Sequence, residues 1–81
     1  VGERLARLGQ RVQVLVVTHS PQVAAQGRQH FKVEKNTKDN ITTTAVFVLD
    51  SQNRREEIAR MLAGATITAE ARAAADVLLS A

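Results

Sequence analysis

The sequence predicts an α/β protein with the element order α-β-α-β-β-α-α. A run of β-branched and apolar residues, Val12 to Thr18, lies between two segments whose apolar residues recur at helical spacing. Two later segments of strand character, separated by the turn residues TKDN, predict a β-hairpin. Helical spacing then returns in SQNRREEIARMLAG and in residues 69–80.

Composition restricts the class of protein further. The 81 residues make one small or partial domain, and 11 Lys and Arg against 8 Asp and Glu give a net charge of +3. The absence of cysteine excludes disulfides and thiolate metal sites, and two histidines are too few for a zinc site. Phe31 and Phe47 are the only aromatic residues, too few for a base-stacking platform. No apolar run has the length of a membrane span, and no signal peptide is recognisable.

The first helix and the first strand follow from the apolar pattern. A helix is predicted over residues 1–10, where three apolar residues share one side: Val1, Leu5 and Leu8. The strand after it is continuously apolar from Val14 to Val17, which is typical of a strand covered on both faces. Such a strand needs partner strands, and we expect them in sequence that precedes residue 1.

A short helix is predicted directly after this strand. Ser20 is a suitable N-cap, and Pro21 fits the first turn of a helix, where its missing N–H costs nothing. The helix extends to Gln26 and ends at Gly27. The strand therefore delivers His19 to its carboxyl end, beside the start of a helix.

The hairpin is predicted from QHFKVEKN and TTTAVFVLD. Phe31 and Val33 alternate with Lys32 and Glu34, so the apolar pair is expected to face inward. By the same alternation His30 is expected on the outer surface, without a role. The uncharged segment ITTTAVFVL has high β-propensity, and we expect the isolated chain to self-associate through it.

Two helices complete the chain. Asp50 or Ser51 is expected to cap the first, which ends at Gly64, with Glu56 and Arg60 paired at i,i+4. Its apolar face would consist of Ile58, Met61 and Leu62. Thr68 is expected to cap the last helix, Ala69–Ser80, whose inner face would consist of Ala71, Ala74, Ala75 and Leu78. Small residues on that face predict a close approach to a neighbouring element.

The position of His19 suggests chemistry, because open α/β sheets bind ligands beyond the carboxyl ends of their strands. An imidazole near a helix N-terminus, with its free backbone N–H groups, can donate to a phosphate oxygen or hold an attacking water. The alternative is that His19 only forms local hydrogen bonds and terminates the strand. Spacing alone leaves both interpretations open.

Longer segments of the sequence resemble a known family. VLVVTHSPQVAAQG resembles the switch-histidine segment of the ABC-type ATPase heads of SMC-like proteins, most closely in the RecN family of bacterial DNA repair proteins. VGERLARLG is similar to the helix after the Walker B and D-loop region, and QHFKVEK with TTTAVFVLD resembles the following hairpin. REEIARMLAGATITAEARAAADVLL is similar to the C-terminal helices of that family. Ser20 stands where leucine is frequent.

The resemblance implies that residues 1–81 are the C-terminal part of a P-loop ABC/SMC-type ATPase head. The whole protein would act in double-strand break repair, recombination and the DNA damage response. It would bind ATP and Mg²⁺ between two heads, and His19 would be the catalytic switch histidine that approaches the γ-phosphate. The implied partners are the rest of the head, a second head in a homodimer, and DNA. The implied location is the cytoplasm, at the nucleoid.

Several motifs of such an ATPase do not occur in these residues. There is no G-x-x-x-x-G-K-[ST] and no serine-glycine-glycine signature. VFVLDS imitates a Walker B strand, but Ser51 stands where a glutamate is required, and we interpret Asp50 as a helix cap. We therefore expect the 81 residues alone neither to hydrolyse ATP nor to bind a cofactor or metal.

A competing interpretation is a small non-enzymatic interaction or DNA-binding module in which His19 is structural. Six basic residues near the hairpin and the next helix could contact DNA phosphates, or form a solvated face: Arg28, Lys32, Lys35, Lys38, Arg54 and Arg55.

Overall fold

A computed structural model describes residues 1–80 as a mixed helix and strand fold. The elements in chain order are α1 (Gly2–Gly9), α2 (Pro21–Ala25), β1 (Phe31–Lys38), β2 (Ile41–Val48), α3 (Ser51–Ala63) and α4 (Ala69–Ser80). None of these helices is both long enough and apolar enough to cross a lipid bilayer. The mixed composition agrees with the predicted class, but the observed order is α-α-β-β-α-α.

The predicted strand at Val12–Thr18 is wrong for the part of the chain that the structure describes. These residues form neither helix nor strand, and the sheet contains β1 and β2 alone. A strand exists only when its backbone N–H and C=O groups bond to a neighbouring strand, and none is present beside this segment. Leu15 and Val17 are consequently 83% and 96% exposed.

Side-chain caps set the helix starts as the sequence predicts. Ser20, Asp50 and Thr68 each accept a hydrogen bond from the backbone N–H three residues later, at 3.4, 2.8 and 3.1 Å respectively. Each bond satisfies a donor that the first turn of a helix otherwise leaves without a partner. At the other end of α3, Gly64 is the C-cap with φ +84°.

The hairpin has the predicted turn. β1 and β2 pair antiparallel from Phe31 opposite Val48 to Lys38 opposite Ile41. Asp39 and Asn40 form the two-residue connection with φ of 52° and 63°. Two successive positive φ values are those of a type I′ turn, in which Asp and Asn are among the favoured residues.

The prediction that Phe31 and Val33 face inward is wrong. Phe31 and Val33 are 44% and 60% exposed, whereas Lys32 is half-buried and its Nζ lies 3.1 Å from Glu57 Oε2 on α3. Val46 and Val48 lie on the same side of the hairpin and are also exposed; we call Phe31, Val33, Val46 and Val48 the outer apolar face. The side of β1 that carries Lys32 therefore faces α3.

The core lies between α3, α4 and α2. Its buried residues are Ala25, Ile58, Ala59, Ala71 and Ala75. The alanines permit the close approach of α3 and α4 that the small residues predict. The predicted inner faces are otherwise partly wrong, because Ala74 and Leu62 are exposed.

One predicted ion pair is also wrong. Arg60 binds Glu57, three residues earlier, instead of Glu56. Glu56 reaches across to α4, where its Oε2 lies 3.0 Å from Arg72 Nε. The pair that forms between α3 and α4 adds a polar contact beside the alanine core.

Candidate functional site

His19 is exposed and is held by local hydrogen bonds of its two neighbours. Thr18 Oγ1 accepts a hydrogen bond from Ser20 N at 3.0 Å, which closes a turn around His19. Ser20 has extended backbone angles, φ −89° and ψ 120°, and its Oγ caps α2. Within residues 1–80 the imidazole of His19 forms no hydrogen bond. The backbone is therefore positioned while the ring remains available.

The start of α2 offers fewer free donors than the sequence suggests. Pro21 has no backbone N–H. Val23 N–H donates to Ser20 Oγ, and Ala24 N–H donates to Ser20 O at 3.0 Å. An anion beside His19 would consequently rely on the imidazole more than on this helix end.

Arg54 on α3 binds the opposite end of α2. Its Nη2 donates to the carbonyl oxygens of Ala24 and Ala25, at 3.0 and 3.1 Å, and to that of Gly27. The last carbonyls of a helix have no partner within the helix and carry a partial negative charge, so a guanidinium stabilises them. Burial lowers the pKa of Arg54 below its ordinary value. The sequence offered a DNA-contacting patch or a solvated face for Arg54 and did not reveal this contact, because no local pattern links Arg54 to residues near position 25.

His30 is half-buried, which contradicts its predicted surface position. It lines a groove of about 380 Å³ between the hairpin base and α3, together with Arg54, Asp50 and Leu79. Its Nδ1 is buried and has no hydrogen-bond partner. Burial and the Arg54 charge lower the pKa of His30, against an opposing influence of Glu57. Alternation along β1 identifies two sides of the strand but not the side that meets α3, so the sequence could not place this ring.

Glu57 connects the hairpin to α3. Its carboxylate is buried and accepts hydrogen bonds from Arg60, while Lys32 Nζ lies 3.1 Å away. Burial by itself would raise the pKa of Glu57, but the hydrogen bonds and charges of Arg60 and Lys32 outweigh it, so the pKa is lowered. Glu57 is therefore a charged anchor for β1.

Three of the six basic residues are engaged in contacts within the fold. Lys32 and Arg54 are engaged as described, and Arg55 Nε lies 2.6 Å from Asp76 Oδ1. The other three are exposed and form no ion pair within residues 1–80: Arg28, Lys35 and Lys38.

The fold and the site together define a segment of mixed helix and strand in which an exposed histidine precedes a capped short helix. Comparison with known proteins identifies its relatives. The chain is 57% identical over 79 residues to DNA repair protein RecN of Xylella fastidiosa (strain 9a5c) and 46% identical over 79 residues to that of Rickettsia conorii. It is 47% identical over 78 residues to DNA repair protein RecN of Deinococcus radiodurans.

These alignments cover 96–98% of this chain and 14% of each relative. The chain is thus homologous to the C-terminal region of proteins named DNA repair protein RecN, which confirms the resemblance seen in the sequence. No family model matches the chain.

Proposed function

We propose that this chain is the C-terminal segment of an ATPase head in a RecN-type DNA repair protein, and that His19 acts there in ATP hydrolysis. The homology to RecN proteins supports the repair context. The observation that carries the catalytic role is the exposed His19 ring on a backbone fixed by Thr18 and Ser20. A purely structural histidine would be expected to use its ring nitrogens within the fold.

The chemistry asked of His19 is positioning and charge stabilisation. One imidazole nitrogen can donate to a γ-phosphate oxygen while the other accepts a hydrogen bond from the attacking water. Water then bonds to phosphorus as the bond to the bridging oxygen of ADP breaks, and the proton of the water leaves to solvent or phosphate. Phosphoryl transfer depends on such placed donors, and loss of one typically costs about 10²- to 10³-fold in rate.

The remaining parts of the nucleotide site are proposed to lie elsewhere in the head and on a second head. Within residues 1–80, no three His, Asp or Glu side chains lie together in a group that could hold a metal ion. These residues also contain no phosphate-binding loop. In this proposal the chain supplies one group to a site completed by other polypeptide.

The test is substitution of His19 by Ala in a full-length protein containing this segment. We expect ATP turnover to fall about 10²- to 10³-fold, with ATP affinity and the unfolding midpoint little changed. The matched control is Gln13→Ala, an exposed polar residue of the same segment, which should leave turnover unchanged. Normal turnover in His19→Ala would overturn the proposal. Reduced stability with normal turnover would instead favour the non-enzymatic module.

A further inference from the structure

We infer that Arg54 is a positioning residue for His19, acting through α2. This inference rests on the function proposed above. Arg54 lies on α3, some 30 residues further along the chain than the carbonyl groups that it binds. Its hydrogen bonds all go to carbonyl oxygens of residues 24–27, and none goes to His19. Its effect would be exerted on the helix that begins two residues after His19.

α2 depends on contacts from outside itself. It has five residues. An isolated helix of that length does not persist in water, because ordering the backbone of the first turn costs more free energy than its hydrogen bond provides. Arg54 binds the last carbonyls of α2 with one nitrogen. The guanidinium is partly buried and forms no ion pair within residues 1–80, so these carbonyl groups are its hydrogen-bond partners.

Two hydrogen bonds lead from Arg54 to the neighbour of His19. Ala24 O accepts from Arg54 Nη2 at 3.0 Å, and Ala24 N donates to Ser20 O at 3.0 Å. Ser20 follows His19 directly and is further bound to Thr18. Loss of Arg54 would release the C-terminal end of α2, and the turn around His19 would lose its fixed support.

The first measurement is ATP turnover of Arg54→Gln in the full-length protein. Small displacements of a catalytic group reduce rate strongly, so we expect kcat to fall about 10- to 100-fold while KM for ATP stays within about twofold. The control is Arg55→Gln, the adjacent residue, which pairs with Asp76 on α4 and should leave kcat unchanged. Unchanged kcat in Arg54→Gln would overturn the inference.

The second measurement is amide hydrogen exchange, which does not depend on ATP turnover. Arg54→Gln should accelerate exchange in residues 21–27 by at least about tenfold and leave α4 unchanged, whereas Arg55→Gln should leave residues 21–27 unchanged. Exchange that accelerates equally throughout α4 would show general unfolding and would contradict a local role. Arg54→Lys, which keeps the charge and three donors, should restore part of both effects.

A double substitution separates this inference from the proposed function. If Arg54 acts through His19, adding Arg54→Gln to His19→Ala should reduce kcat by no more than about twofold further. Fully additive losses would overturn the positioning role while leaving the role of His19 intact. Normal turnover in His19→Ala alone would instead remove the proposed function itself, and with it this inference.

Discussion

Gly64 ends α3 in a backbone conformation that only glycine adopts without strain. Its φ of +84° and ψ of −131° bring the chain out of α3 toward α4. A Cβ at this position would meet no neighbouring atom within 4 Å, so the restriction comes from the backbone and not from packing. Gly9, at the end of α1, has open space around it and no positive φ.

Substitution of Gly64 by Ala is expected to lower the free energy of unfolding by about 1–3 kcal/mol, because the new side chain is strained at this φ. Gly9→Ala is the control and should be neutral or stabilising by up to about 1 kcal/mol, since alanine favours a helix. Urea denaturation of both variants measures the difference. Equal stability of the two variants would contradict the assigned strain.

Single-residue features were predictable where their partners are close in sequence. The caps Ser20, Asp50 and Thr68 act on a backbone group three residues away, so the sequence contains the whole interaction. Arg54 and His30 could not be predicted, because their surroundings come from elements that only the tertiary fold brings together.

At the level of elements, the hairpin is joined to α3 by the ion pair of Lys32 with Glu57. Lys32 reaches Glu57, which also binds Arg60, and these groups surround a carboxylate with little access to water. Removal of one partner from such a buried group lowers stability, because the remaining charge has neither water nor an opposite charge around it. The docking of β1 on α3 should therefore respond to the protonation of Glu57.

The pH dependence of stability follows from the lowered pKa of Glu57. A carboxyl group with a folded-state pKa below its unfolded value of about 4.3 stabilises the fold above that pH, and this contribution is lost as the pH falls through the folded-state pKa. We expect the free energy of unfolding to decrease below about pH 4.3, and less steeply in Glu57→Gln. Lys32→Met, which removes one of two partners, should give an intermediate slope. Identical slopes in all three proteins, measured by urea unfolding from pH 5 to 3, would contradict the assignment.

The elements themselves were predictable to different degrees. The helices and the hairpin turn follow from caps, glycines and Asp39–Asn40, all of which act locally. The orientation of the hairpin was not predictable. Alternation along a strand assigns residues to two sides, but it does not indicate which side packs against a helix. The predicted strand at Val12–Thr18 is wrong for a related reason. A strand requires hydrogen bonds to a neighbouring strand, and the sequence of one segment does not show whether that neighbour is present.

Within residues 1–80, large apolar side chains are exposed at several places. They include the outer apolar face of the hairpin and the segment that contains Leu15 and Val17. The core between α2, α3 and α4 has one large, fully buried side chain, Ile58. A small core and a wide apolar exterior favour association of the chain with other protein surfaces.

The 81-residue chain is expected to self-associate, as its β-prone segment suggests. Val46→Lys places a charge in the outer apolar face and should shift sedimentation toward monomer, because burying that charge in an apolar contact between chains is costly. Thr44→Lys is the control, since it adds the same charge to the same side of β2 beyond the apolar residues. A wild-type chain that remains monomeric at high concentration would contradict this expectation, and so would equal behaviour of the two variants.

The distance along the chain between α2 and Arg54 also determines an order of events during synthesis. The carbonyl groups of α2 leave the ribosome about 30 residues before the guanidinium that binds them. At about 5–20 residues per second, that gap lasts roughly 2–6 s. Throughout this interval the five residues of α2 lack the contact that holds them, so the histidine segment is translated early and ordered late.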